Sequence, residues 1–235
     1  MATDICAECK VRELALCSTL SDVELVRLNA ISRHRHLAKG ATLMWAGEES
    51  VVCANVLSGV LKMTAAAADG REQIVGLLFP PDFVGQPQGG TMAFSVTALA
   101  ETELCIVPRG PFQTLLNEHL KMARLLLRRT LTTLDDARAR MLLLARGTAE
   151  EKLAGFLLEM ADRALVGAPD AARDHPVTLQ LPLSRGQIAD VLGLTVETVS
   201  RQMTHLRTAG IIALPGGRAL TVLDHSALKH RTILD

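Results

Sequence analysis

Between Pro111 and Gly147 the chain contains neither glycine nor proline, and one long helix is the regular structure that such a stretch favours. Within it Leu116, Leu120, Ala123, Leu127, Thr130, Leu134, Ala137, Met141 and Leu144 recur at alternating steps of three and four. That is a heptad a/d seam held for about four heptads, the pattern of a coiled coil. Arg124, Arg128, Arg129, Asp135, Asp136, Arg138 and Arg140 lie mostly off the seam. Two readings stand: a helix packed on its own domain, or a parallel two-helix dimer.

The two sides of this helix carry different patterns. From about residue 32 to 112, short apolar segments (51–60, 73–79, 94–99 and 104–107) alternate with turns at Lys39-Gly40, Ala46-Gly47, Ser58-Gly59, Asp69-Gly70 and Pro80-Pro81-Asp82. Many short strands at this spacing predict a β-sandwich or jelly roll. Before them, Ser21-Asp22-Val23-Glu24 reads as a capped helix start. After the seam, Thr148 and Glu151 form a capping-box pattern at the head of an amphipathic helix. The expected division is an N-terminal arm at 1–20, a β-roll domain at 21–113, the long helix at 114–147 and a C-terminal domain at 148–235, an α+β chain overall.

The C-terminal domain carries the clearest functional pattern. Ser184 to Leu192 reads as a helix, Gly193 as the left-handed residue of a tight turn, and Leu194 to Arg201 as the start of a second helix. Ala189 allows the helices to cross closely, and Ile188, Leu192, Leu194 and Val199 supply their apolar contact. Glu197, Ser200 and Arg201 then share one polar face. Arg can donate two bonds to guanine, Glu can accept from cytosine N4, and Ser suits either kind of base edge. Thr195, Thr198 and Arg207 are expected to contact phosphates, which position a helix without reading sequence. A hairpin at 211–223, turning at Pro215-Gly216-Gly217-Arg218, completes a winged helix-turn-helix. Such readers bind two half-sites as twofold dimers, which favours the dimer reading of the seam, with Leu120, Leu127, Leu134 and Met141 at its interface. Double-stranded DNA with a palindromic operator is the partner that follows. The balance of 25 basic and 25 acidic residues places any attraction for DNA in a local basic face, for which Arg185, Arg201, His205, Arg207 and Arg218 are available.

At the other end, Cys6, Cys9 and Cys17 form a Cys-x2-Cys-x7-Cys cluster, and Cys105 lies far along the chain. No apolar run reaches the roughly 18 residues of a membrane span, and no secretory signal is visible, so a cytoplasmic location is expected. There a cysteine cluster binds metal or senses redox state more often than it forms structural disulfides. Zinc, an iron–sulfur cluster and a redox dithiol all remain open on spacing alone. Cys53, within Val51-Val52-Cys53-Ala54, reads as a buried small hydrophobe. An enzyme built on a cupin-like roll would need a ligand constellation. His34 and His36 are close, but no carboxylate–histidine pattern follows, and they are expected on an exposed strand face.

The order of β roll, long helix and winged helix resembles the CRP/FNR bacterial transcription regulators over nearly the whole chain. The segment from Gly193 to Arg201 is similar to the recognition helix of the fumarate and nitrate reduction (FNR) branch, and the cysteine spacing is similar to its FnrN/FnrL type. The resemblance implies that Glu197, Ser200 and Arg201 read a TTGAT half-site present as an inverted repeat. It implies that Cys6, Cys9, Cys17 and Cys105 hold an oxygen-labile [4Fe-4S] cluster, that the active form is a homodimer, and that RNA polymerase is a partner, with the loop 85–90 a contact by analogy. Cyclic-nucleotide-binding relatives carry a Gly-Glu-Leu segment and an Arg-Ser/Thr pair. Here the corresponding places read Gly85-Gln86-Pro87 and Met92-Ala93-Phe94-Ser95, with no arginine between Arg71 and Arg109. A buried cyclic phosphate without a cation partner is costly, so no cyclic nucleotide is expected.

Overall fold

The computed structural model describes residue 6, residues 8–66 and residues 72–233; the turn expected at Asp69-Gly70 lies outside the described residues. The chain divides into two compact units, Met1–Thr132 and Thr133–Asp235. In the first, a 3-10 turn (Leu16–Thr19) precedes α1 (Asp22–Ile31). The helix starts at the expected capping Ser21, whose N–H donates to Glu24 Oε2 at 2.7 Å in a capping box. Then come β1 (Arg33–Leu37), β2 (Thr42–Met44), β3 (Val52–Ser58), β4 (Leu61–Ala66), β5 (Glu72–Leu78), β6 (Phe83–Val84), β7 (Ser95–Ala98) and β8 (Thr102–Pro108). They pair antiparallel into two four-stranded sheets, in the orders β1-β8-β3-β6 and β2-β7-β4-β5. Leu37, Val56, Leu61, Val96, Leu104 and Ile106 belong to the core of this sandwich.

The first sheet is covered on both faces, and the two-residue period of a strand decides what lies on each. In β3, Ala54 and Val56 join the sandwich core, whereas Cys53 packs in a second cluster. In β8, Leu104 and Ile106 face the core and Val107 belongs to the second cluster. That cluster draws Val11, Ala15, Leu16 and Cys17 from the N-terminal segment, Leu25 and Leu28 from α1, and Phe112 and Leu115 from the next helix. The described part of the N-terminal segment thus packs against this cluster. Its buried Leu16 and Ala15 fasten it to the sheet.

The long helical stretch is divided. Helix α2 (Arg109–Glu118) ends before His119, whose φ of −118° and ψ of 84° leave the helical region, and α3 (Leu120–Arg146) follows. The seam expected from Leu116 onward consequently begins at Leu120. Leu116 is 5% exposed and packs inside its own unit, because it lies in α2 on the side facing the second cluster. Along α3 the only buried residue is Met122, while Leu120, Leu127, Leu131, Leu134 and Met141 are exposed.

In the second unit, α4 (Ala149–Ala164) starts at the expected capping box, with the Thr148 N–H donating to Glu151 Oε2 at 2.7 Å. It is followed by β9 (Val177–Gln180), α5 (Arg185–Leu192), α6 (Val196–Thr208), β10 (Ile212–Gly216), β11 (Ala219–Val222) and α7 (His225–Lys229). The strands form a sheet in the order β10-β11-β9. Leu153, Leu157, Ile188, Val199, Met203 and Leu206 are fully or almost fully buried. Among the described residues, no helix is long and apolar enough to cross a membrane.

Candidate nucleic-acid interface and cysteine pocket

The turn between α5 and α6 is set by Gly193 at φ 60°, ψ 41°, the left-handed cap at the end of α5. Thr195 then caps α6, its side-chain oxygen accepting from the Thr198 N–H at 3.2 Å. One side of α6 buries Val199, Met203 and Leu206. Glu197 and Arg201 stand exposed on the other, with Ser200 half-buried beside them. The free N–H at the head of the helix and the Thr195 hydroxyl hold the Glu197 carboxyl below the usual carboxylate range. Glu197 is thus an ionised acceptor at the end of the helix where a groove-reading side chain is useful. Arg207 is exposed and Thr198 half-buried. His205 is engaged by α4, with Nδ1 3.4 Å from Glu150 Oε2, and Glu150 also pairs with Arg231. Arg218 donates to the Pro182 carbonyl at 3.2 Å, which ties the β10–β11 turn to the segment before α5.

In the first unit one pocket gathers four of the five cysteines. Cys6, Cys9, Cys17 and Cys105 line it together with apolar side chains that include Leu28, Val107 and Phe112. Cys53 is not among its lining residues; it is 1% exposed, as its apolar neighbours suggest. Burial, followed by the neighbouring Cys6, Cys17 and Cys9, pushes the Cys105 thiol up to about 12, and a Ser32 hydroxyl hydrogen bond opposes the shift. Burial, followed by Cys9 and Cys6, pushes Cys17 up to about 11. Burial raises Cys53 to about 12, but no other cysteine contributes there. Four thiolates in so apolar a pocket would repel one another, so to bind in that form these cysteines would need the positive charge of a metal group. The donor set suits a thiolate-bound metal group. Among the described residues, no three such side chains are already spaced to hold a single metal ion. Four cysteine donors are the number a cubane cluster takes, one thiolate to each iron corner, and also the number of a closed zinc site.

Two polar residues that the sequence reading did not place here share the pocket, His34 and Asn55. Both lie directly across from Cys105, His34 on β1 and Asn55 on β3. His34 is exposed, as expected, yet it also edges the pocket. The signal available in the sequence was the single amide inside the apolar run Cys53-Ala54-Asn55-Val56.

Residues 34–119 match the cyclic nucleotide-binding domain family, and residues 151–231 match the Crp-like helix-turn-helix domain family. The transcriptional activator protein FnrL of Cereibacter sphaeroides is 40% identical over 228 residues, which cover 95% of this chain and 90% of that protein. The fumarate and nitrate reduction regulatory protein of Escherichia coli is 32% identical, covering 95% and 88%. The chain belongs to the CRP/FNR family, in its FNR branch. The solved structure of FixK2 from Bradyrhizobium japonicum superposes with a TM-score of 0.77 at 30% identity, covering 87% of this CRP/FNR chain and 99% of that one. As a CRP/FNR protein the chain is a DNA-binding regulator and not an enzyme. The fold expected from the sequence is the fold of the family.

Proposed function

We propose that this CRP/FNR chain is an oxygen-responsive transcription regulator. It binds an inverted-repeat TTGAT-type site as a homodimer when Cys6, Cys9, Cys17 and Cys105 hold a [4Fe-4S] cluster, and it controls anaerobic or microaerobic genes together with RNA polymerase. The observation that carries this reading is the convergence of those four thiols on one pocket that excludes Cys53. When bound, the cluster supplies iron–thiolate bonds that are labile to oxygen and that link the N-terminal segment to β8.

The chain's own residues account for the rest. Cys17 lies in the 3-10 turn just before α1, and Cys105 lies in β8, which runs directly into α2 and then α3. Fastening these points biases the start of α3, whose exposed Leu120, Leu127, Leu134 and Met141 form the dimer seam. A switch of this kind needs a differential stability of only a few kcal/mol. In the second unit Glu197, Ser200 and Arg201 read base edges, and Thr195, Thr198 and Arg207 contact phosphates. No cyclic nucleotide has a role in this reading: Gln86 stands where a ribose-binding acid is needed, and no arginine lies between Arg71 and Arg109.

The test is to purify the protein without oxygen, record its absorption spectrum, assay iron and sulfide, and then admit air. Iron and sulfide near four per chain, as [4Fe-4S] stoichiometry requires, with a brown colour that bleaches in air, support the sensor. Bound zinc, or no metal after reconstitution, removes the cluster and leaves a zinc or thiol sensor on the same DNA reader.

A further inference from the structure

We propose that Asn55 donates a hydrogen bond into the cysteine pocket, to the sulfur shell of the group held there, and thereby sets that group's reduction potential. The proposal deepens the four-thiolate reading and rests on it. Asn55 is central in β3 and 9% exposed. It stands in register with Cys105 of the adjacent β8, and directly opposed residues of neighbouring strands share a face of the sheet. Both side chains line the same pocket. The Asn55 Oδ1 is buried and has no hydrogen-bond partner. An unsatisfied amide in an apolar surrounding is destabilising, and a small apolar residue in its place would remove that penalty.

Asn55 lines the pocket and its amide is not satisfied by the protein, so that capacity is available to whatever fills the pocket. The two ends of an amide exchange by a half-turn of the terminal torsion, so the orphan position can equally hold the N–H donors. Thiolate and sulfide sulfur are acceptors, and the chemistry that completes Asn55 is an N–H···S bond. A donor next to sulfur withdraws electron density and stabilises the more electron-rich state, which raises the reduction potential. Water is a poor alternative partner, because the lining is otherwise mostly apolar and an ordered water needs several polar contacts.

The experiment uses the full chain, loaded anaerobically with iron and sulfide, as wild type, Asn55→Leu, Asn55→Thr and Cys53→Ala. Iron content, sulfide content and midpoint potential are measured, with thermal unfolding of each metal-free protein as a folding control. The expected result is full loading throughout, a lower midpoint potential in Asn55→Leu, and return towards the wild-type potential in Asn55→Thr, which keeps a hydroxyl donor. Cys53→Ala, altered on the same face of β3 but outside the pocket, keeps the wild-type potential. A loaded Asn55→Leu protein with the wild-type potential overturns the assignment. Should Asn55→Leu not fold, Asn55→Val is smaller, suits a strand, has no donor and carries the same two outcomes. A wild-type chain that takes up no iron and sulfide overturns the cluster reading and this proposal together. Normal loading with an unshifted variant overturns only the role of Asn55.

Discussion

Arg201 is the residue from which specificity is best tested. It is exposed on α6, and Glu197, one turn earlier, is an ionised acceptor. Arg201→Ala is expected to cost about 1–3 kcal/mol on the cognate operator and to relax preference at one guanine. Titration against single-base operator variants checks this, and equal weakening on every sequence would make Arg201 a phosphate contact instead. The cysteines offer a second contrast at the same scale. Cys105→Ala is expected to abolish anaerobic DNA binding. Cys53→Ala retains it, with a stability loss of about 1 kcal/mol for the small cavity left. Retained binding by the Cys105→Ala protein sinks the assignment. The sequence separates Cys53 from the other thiols because its neighbours are apolar, and the structure agrees. It gives little hint of Asn55, because pairing with Cys105 depends on the register of two strands far apart in the chain.

At the scale of elements, patterns with local causes were legible and those with tertiary causes were not. Ser21, Thr148 and Ser184 each open a helix with a capping box, and a cap is written within four residues. β1 carries no apolar run, since four of its five residues are exposed, yet it bears out the exposed strand face expected for His34 and His36. The break at His119 was missed because no glycine or proline marks it. There the chain departs from helix while His119 Nδ1 lies 3.0 Å from Glu24 Oε1, a partner on α1. Two elements invite substitution. Gly193 sits at φ 60° with nothing within 4 Å of an added Cβ, so Gly193→Ala meets backbone strain and no clash. The expected loss is about 1–2 kcal/mol, read from denaturant unfolding of the full chain. On α3, Leu127→Glu places a charge in the exposed seam. Dimer dissociation is expected to become at least about tenfold easier, or about 1.4 kcal/mol, by sedimentation. An unchanged dimer would move the interface elsewhere.

For the molecule as a whole, a formal charge of zero means that attraction to DNA comes from local groups. The salt dependence of binding should then fall in discrete steps as those groups are removed. Arg207→Ala is expected to lower the slope of log affinity against log salt by about 1 and to weaken all sequences alike. A sequence-dependent loss would place Arg207 among the base readers. The two ends of the chain are also constrained differently. The reading face depends on a short helix pair whose signals are contiguous, whereas the pocket collects residues from position 6 to position 122. β8 shows what this implies for how such a chain can change over evolutionary time. Its Leu104 and Ile106 hold the sandwich together, and its Cys105 faces the opposite way into the pocket. Replacing a residue on one face leaves the other untouched, so stability and sensing can drift separately. Deleting one residue would exchange the faces, sending a thiol into the core and a leucine into the pocket. Mutation of composition therefore acts on one side of β8 at a time, whereas a change in its length acts on both.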